Sequence, residues 1–427
     1  MKNGEIIEYI ENGGIDSALE RLYGNDRIAA QRKRYTDAIR DFTGLYGQRE
    51  ISLFSVPGRT EVCGNHTDHQ RGRVIAAAVD LDIIAVASPR CDGQIRIKSK
   101  GFPEDSVTCT PGGPDESLKY SSASLISGVC AGFLRRGLRT VGFDAYTTSS
   151  VLKGSGISSS AAFEDMVGNI LNHFANSGTV TAPVIAEISK YAENVYFGKP
   201  SGLMDQTACA VGGFCYIDFA DPEAAGIEKL SFSLTDAGYS LCITNTGGNH
   251  ADLNEDYASV PADMLKVAKV LGRDVLRGAT LGELTERTAE IREKCGDRAL
   301  LRAYHFITEN DRVAKQAENL KTGDINAFLD GINMSGRSSF MWLQNVYTVK
   351  NPQEQGLSVA LMLSGELLAG TSRKSAWRVH GGGFAGTVQA FVPDEDVERY
   401  RAGMERVFGK DTCAVLRVRQ DGAVKII

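Results

Sequence analysis

Between Val151 and Leu171 the chain reads VLKGSGISSSAAFEDMVGNIL. The glycines at 154 and 156 permit tight turns and close approach of the backbone to a ligand. Three serines follow, and apolar residues then fall at Phe163, Val167, Ile170 and Phe174, the spacing of one helix face. The first turns of a helix leave N–H groups unpaired and carry partial positive charge. A bare loop running into such a terminus is therefore a ready anion site, above all for phosphate. The groups offered to that anion are those of Gly154, Ser155, Gly156, Ser158, Ser159 and Ser160, and a serine hydroxyl can also ligate magnesium. Taken alone, these residues equally describe a Gly/Ser turn with a serine N-cap. No lysine follows, so this is not the G-x-x-x-x-G-K-[ST] phosphate loop. A second cluster, HGGGFAG at 380–386, matches G-x-G-x-x-G. A strand-like TVQAFVP follows it where a dinucleotide site needs a helix, so it reads as a tight glycine turn.

The periodicities on either side predict an α/β (α+β) chain. IDSALERLYG and RIAAQRKRYTDAIRDFTGLYG read as two surface helices, each closed by glycine. ISLFSVPGR reads as a strand ending at Pro-Gly, RVIAAAVDLDIIAVASPR as one or two buried strands, and QIRIKSK as an edge strand. LISGVCAGFLRRG is helical, and FDAYTTSSV is a strand that feeds the serine-rich stretch. GGFCYIDF and YSLCITNT add two strands, with AGIEKLSFSLTDAG between them as a linker with a short strand. Residues 261–330 are charge-rich and helical in period, and the last 50 return to strands around one helix. A boundary is expected near residues 218–228.

At 427 residues the chain has room for two or three domains. The net charge of -6, with no basic tail, argues against nucleic acid as a partner. Nine cysteines stand singly, with no C-x-x-C pair, as expected of reduced thiols in a cytoplasmic protein. The N-terminus has no apolar signal core, and no uncharged apolar run approaches the roughly 18 residues of a membrane span.

Two polar stretches carry candidate chemistry. PGRTEVCGNHTDHQRG (57–72) packs Arg59, Glu61, Asn65, His66, Asp68 and His69 between strands, a density of hydrogen-bonding groups that suits a polyhydroxylated ligand, or an ordinary polar loop. The H-x-x-H spacing is poor for zinc. In YAENVYFGKPSGLMDQTACAVGG (191–213), Asp205 is either a helix cap or a carboxylate aimed into a cleft. Glu193 is either a magnesium ligand or a surface charge.

Taken together and in order, these stretches resemble the galactokinase family of the GHMP small-molecule kinases. PGRTEVCGNHTDHQRGRVIAAAVD is similar to its sugar signature, KGSGISSSAA to its phosphate loop, HGGGFAG to its third glycine motif, and GKPSGLMDQ to the segment holding its catalytic aspartate. The resemblance spans the chain from about residue 40 to the end. It implies two domains, an N-terminal mixed α/β domain (1–220) and a C-terminal ferredoxin-like domain (221–427), with the active site between them. It further implies ATP- and Mg2+-dependent phosphorylation of the anomeric hydroxyl of galactose by a cytoplasmic monomer or weak dimer that binds neither nucleic acid nor membrane. On this resemblance Asp205 matches the catalytic carboxylate and Arg59 its partner. Ser160 and Glu193 match the magnesium-binding pair, and His66, Asp68, Gly202 and Tyr257 match sugar contacts. The family usually has Glu where Asn65 stands, a position facing the sugar's C6 end, and Tyr where His69 stands. Ala385 replaces a common glycine in the third motif. A neutral Asn65 raises a related sugar, galacturonate or N-acetylgalactosamine, as the alternative substrate. A non-catalytic sugar and ATP sensor is the alternative of another class, and the N-T-D loop disfavours a mevalonate- or homoserine-type kinase.

Overall fold

A computed structural model describes residues 2–109, 112–151, 157–221, 224–248 and 253–427. Three helices come first: α1 (Asn3–Glu11), α2 (Asp16–Tyr23) and α3 (Ile28–Tyr46). They lead into β1 (Ser52–Cys63), β2 (Arg73–Arg90), β3 (Gln94–Ser99) and β4 (Glu104–Thr108). Next come α4 (Ser122–Arg135), β5 (Gly142–Ser149), α5 (Ser159–Ala175), α6 (Ala182–Tyr191), α7 (Met204–Val211), β6 (Phe214–Asp218) and β7 (Gly226–Leu230). β1 and β2 alternate their side chains between two apolar faces, as a sheet covered on both sides must. Phe54, Val56, Ala85 and Ala87 face a core shared with α4, α5 and α6. Leu53, Ile84 and Val86 face Ile6, Ile10, Leu19, Ile39 and Phe42. The first helices are therefore an amphipathic outer layer on the sheet, with Ile6, Leu19 and Phe42 inward and Arg21 and Lys33 outward, and the helical spacing of residues 1–48 resolves into three helices rather than two.

Two strand readings are corrected. β1 continues through Pro57-Gly58 to Cys63, with a register shift at Pro57/Arg59 that accommodates the missing proline N–H and a second at Glu61/Cys63. β3 is not an edge strand: it pairs β5 in parallel and β4 antiparallel. RVIAAAVDLDIIAVASPR forms one strand of 18 residues.

The remaining elements are β8 (Tyr239–Asn245), α8 (Asn254–Val270), α9 (Leu281–Glu286), α10 (Thr288–Cys295), α11 (Asp297–Thr322), α12 (Ile325–Ser338) and α13 (Gly356–Leu368). They end with β9 (Ala376–His380), β10 (Thr387–Pro393), α14 (Val397–Phe408), β11 (Cys413–Leu416) and β12 (Val424–Lys425). β8, β9, β10 and β11 form an antiparallel sheet in the order β11-β8-β10-β9. Numbered within the sheet this is 4-1-3-2, the ferredoxin-like arrangement. β7 extends the first sheet through β6, and β12 returns to it beside β1. Among the described residues no helix is long and apolar enough to cross a membrane.

Candidate active site

The site begins where β1 meets the start of α5. A Cβ on Gly58 would come within 2.9 Å of the Ile157 carbonyl oxygen, so only glycine lets these two segments touch. The Arg59 amide donates to that same oxygen at 3.2 Å. This contact sets the guanidinium of Arg59 beside the serine run. Nε of Arg59 donates to Oδ1 of Asp205 at 2.8 Å and Nη2 to Oδ2 at 2.7 Å, a two-pronged ion pair between residues 146 apart in sequence. Asp205 lies in the first turn of α7 and also accepts the Ser158 hydroxyl. Burial pushes the Asp205 carboxyl up, but Arg59's charge and hydrogen bonds, with Ser158's, hold it below the ordinary carboxylate range. It is an ionised acceptor at neutral pH, with 27% of its side chain exposed.

The sugar-like loop is braced from the far end of the chain. A Cβ on Gly64, at φ +99°, would stand 2.6 Å from the Arg73 carbonyl oxygen. Its amide donates to Oε1 of Glu309 on α11 at 3.0 Å, and Nε2 of His305 lies 2.9 Å from the Asn65 carbonyl oxygen. Sequence reading missed both supports: α11 showed only helical period and charge, and nothing local tied it to residue 64. His66 is held in the left-handed region at φ 57°, with Nε2 2.9 Å from the Gly382 carbonyl oxygen. Burial, then the neighbouring ring of His69, holds its imidazole well below the ordinary range, so it is neutral. The Tyr257 hydroxyl donates to the next carbonyl, Gly383, at 3.0 Å. HGGGFAG is thus the β9–β10 hairpin turn, and it seats two of the sugar candidates. Asp68 and Gly202 are brought together, since a Cβ at 202 would lie 2.9 Å from Oδ2 of Asp68. Asn65 differs from the rest. It is fully buried, its Nδ2 donates to Glu61 Oε1 and the Gly381 carbonyl, and its Oδ1 accepts from Asn345 and Ser339.

Ser160, in the first turn of α5, donates to Oε1 of Glu193 at 3.3 Å. Glu193 is 2% exposed, at the head of a π-helical turn (Ala192–Phe197) that follows α6, and so is no surface charge. Lys199 reaches its Oε1 at 2.9 Å. Gln206, next to Asp205, donates to Oε2 at 2.9 Å and to Glu164 Oε2 at 3.1 Å. Lys199 and Gln206 stand in the same stretch as Asp205, and nothing in their local pattern marks them as partners of Glu193. Gly154, Ser155 and Gly156 lie outside the described residues. Of the serines, Ser158 bonds the catalytic candidate and Ser159 is exposed at the N-terminus of α5.

A phosphate-type helix terminus, an arginine-clamped aspartate and a polar sugar-like loop on this two-sheet fold define a GHMP-type small-molecule kinase. Residues 124–213 match the model of the GHMP kinases N terminal domain, and residues 40–89 match the galactokinase galactose-binding signature. The chain is 30% identical to human galactokinase over 395 residues, covering 91% of this chain and 95% of that one. It is 29% identical to a Streptomyces coelicolor galactokinase over 367 residues, covering 86% and 91%. The chain belongs to the galactokinase family and is a sugar kinase; the family implies use of ATP. Its fold matches a Lactococcus lactis galactokinase crystallised with galactose at a TM-score of 0.74 and 21% identity, over 90% of this chain and 98% of that one. A Methanococcus jannaschii mevalonate kinase matches at 0.60 and 13%, over 86% and 98%.

Proposed function

We propose that the chain transfers the terminal phosphoryl group of ATP to the anomeric hydroxyl of galactose. The observation that carries this reading is the Arg59–Asp205 fork, set between the start of α5 and the loop bearing His66 and Asp68. The anomeric oxygen attacks the terminal phosphorus as its O–H bond breaks, the bond to the bridging oxygen breaks, and ADP, galactose 1-phosphate and a proton released at Asp205 result. Asp205 accepts the hydrogen bond of the attacking hydroxyl, and Arg59 keeps it ionised and offsets charge developing beside it. Residues 154–160 supply amides and hydroxyls to the phosphates, and Asp68, His66, Gly202 and Tyr257 orient the sugar. Ser160 and Glu193 present hard oxygen donors 3.3 Å apart, which suit Mg2+. When bound, that ion neutralises phosphate charge. Lys199 already balances Glu193 at the same oxygen.

The division at 220/221 is proposed to separate the two working units, with residues 226–230 and 424–425 completing the first sheet across it. Nine free cysteines support a cytoplasmic enzyme. The intact carboxylate and serines favour catalysis over a silent sensor. The test is ATP consumption over a panel of free hexoses and uronic acids. Galactose is expected to give the highest turnover, and none with galactose overturns the reading.

A further inference from the structure

Asn65 is sealed, and the side chain that seals it is not. Glu61 lies two residues beyond Arg59 on β1, within a stretch of regular register (Arg59↔Ala78, Thr60↔Ala77, Glu61↔Ala76), so the two share one face of the strand. Oε1 of Glu61 is anchored by Nδ2 of Asn65 at 2.8 Å and by Nη2 of the buried Arg378 at 3.5 Å. Among the described residues no donor reaches its other oxygen, Oε2, and the side chain keeps 10% exposure. It stands on the strand face of Arg59 and holds the residue that opens the loop of His66 and Asp68. Burial first pushes its carboxyl above the ordinary value, against the pull of Arg378 and of the Asn65 hydrogen bond.

We infer that Glu61, rather than Asn65, is the side chain through which this wall of the cleft contacts the sugar, and that it selects a sugar presenting a hydroxyl there over one presenting a carboxylate. A carboxylate oxygen accepts from a hydroxyl. The carboxylates of Glu61 and Asp68 disfavour an acid group, and the Asn65 amide, already committed to Glu61 and the Gly381 carbonyl, offers it no donor. The neutral residue at 65 therefore does not relieve the cleft of charge; its amide lets a carboxylate be held at 61. A second carboxylate at 65 would face Glu61 in a buried place, so Glu61 and Asn65 work as a pair.

This inference rests on the galactokinase reading and is tested within it. Glu61→Gln keeps the acceptor that Asn65 and Arg378 require but turns the free oxygen into an N–H donor. Steady-state kinetics with ATP are measured on galactose and on galacturonate, which differ only at C6. We expect KM for galactose to rise about tenfold with kcat within about threefold, and the galacturonate-to-galactose ratio of kcat/KM to rise more than tenfold. A role confined to folding gives no gain toward the acid. An unchanged KM and ratio, in a variant that melts like the parent, overturns the inference. Should Glu61→Gln not fold, Glu61→Asp retains the charge and shortens the reach. It is expected to raise KM for galactose while galacturonate stays refused; an unchanged KM overturns the inference. A parent enzyme inactive on galactose instead refutes the kinase reading itself.

Discussion

Replacing Asp205 by Asn keeps the shape of the side chain and removes its charge. In the structure that charge is held by two hydrogen bonds from Arg59, at 2.8 and 2.7 Å, and one from Ser158. The amide nitrogen of Asn cannot accept from the guanidinium, so one prong of the fork is lost and the acceptor facing the attacking hydroxyl is weakened. A positioned proton acceptor is worth about 10²–10⁴ in rate, or roughly 3–5 kcal/mol of transition-state stabilisation. The sugar's other partners, Asp68 and His66, are untouched, so galactose affinity should change by no more than about threefold. The fold should lose more than a surface pair would cost. With side-chain exposures of 12% for Arg59 and 27% for Asp205 the pair is largely buried, and leaving Arg59 without its counter-charge is expected to cost about 3 kcal/mol. Coupled ADP-release kinetics give kcat, calorimetry without nucleotide gives galactose affinity, and thermal melting gives the fold. An Asp205→Asn enzyme within about fivefold of the parent kcat would refute the reasoning. So would a loss of turnover matched by an equal loss of sugar binding.

Glu193→Gln should raise the Mg2+ concentration needed for half-maximal activity at least about tenfold, since an oxygen ligand loses its charge; a Mg2+ titration at saturating sugar checks this, and an unshifted midpoint removes Glu193 from the metal. Ser160→Ala should shift the same midpoint in the same direction by less, because a neutral ligand is lost. Glu309 governs a pH dependence of stability. Burial pushes its carboxyl up, but Arg312 first, then His305, Arg378 and Ser335, pull it down to about 2. A group depressed on folding stabilises fully above its ordinary value of 4.5 and loses that contribution as pH falls toward 2. Its worth is about 3 kcal/mol at pH 7. The stability gap between parent and Glu309→Gln in urea should therefore narrow between pH 5 and pH 3, and a constant gap would contradict the assignment.

What the sequence made legible and what it hid divide along one physical line. Arg59, Asp205, Ser160 and Glu193 could be named as candidates because the ordered stretches around them resemble the galactokinase motifs; residue by residue, the sequence left Asp205 open between a helix cap and a catalytic carboxylate and Glu193 between a magnesium ligand and a surface charge. Their convergence needed only the order of those stretches. The end of β1 was misread because Pro57 removes a ladder bond locally, while the amide of Arg59 finds Ile157 far along the chain, which no local rule contains. QIRIKSK alternates like an edge because its outer partner, EDSVT, is too polar to announce itself as a strand.

Asn65 shows most clearly why a motif departure is hard to interpret from sequence. As a lone difference it reads as a change in substrate. Its acceptors and donors, however, are Glu61, four positions back, and Ser339, Asn345 and Gly381, more than 270 positions on. The same α11–α12 region that supplies Ser339 also grips Gly64 through Glu309 and the Asn65 carbonyl through His305. The loop proposed to face the sugar is thus held in place by the helices of the second half of the chain. A substitution in it is first answered by those helices and only then by the ligand. The chemistry at this wall therefore belongs to the Glu61–Asn65 pair and its distant supports. It follows that changing residue 65 alone, without Glu61, should disturb the brace before it alters which sugar is accepted.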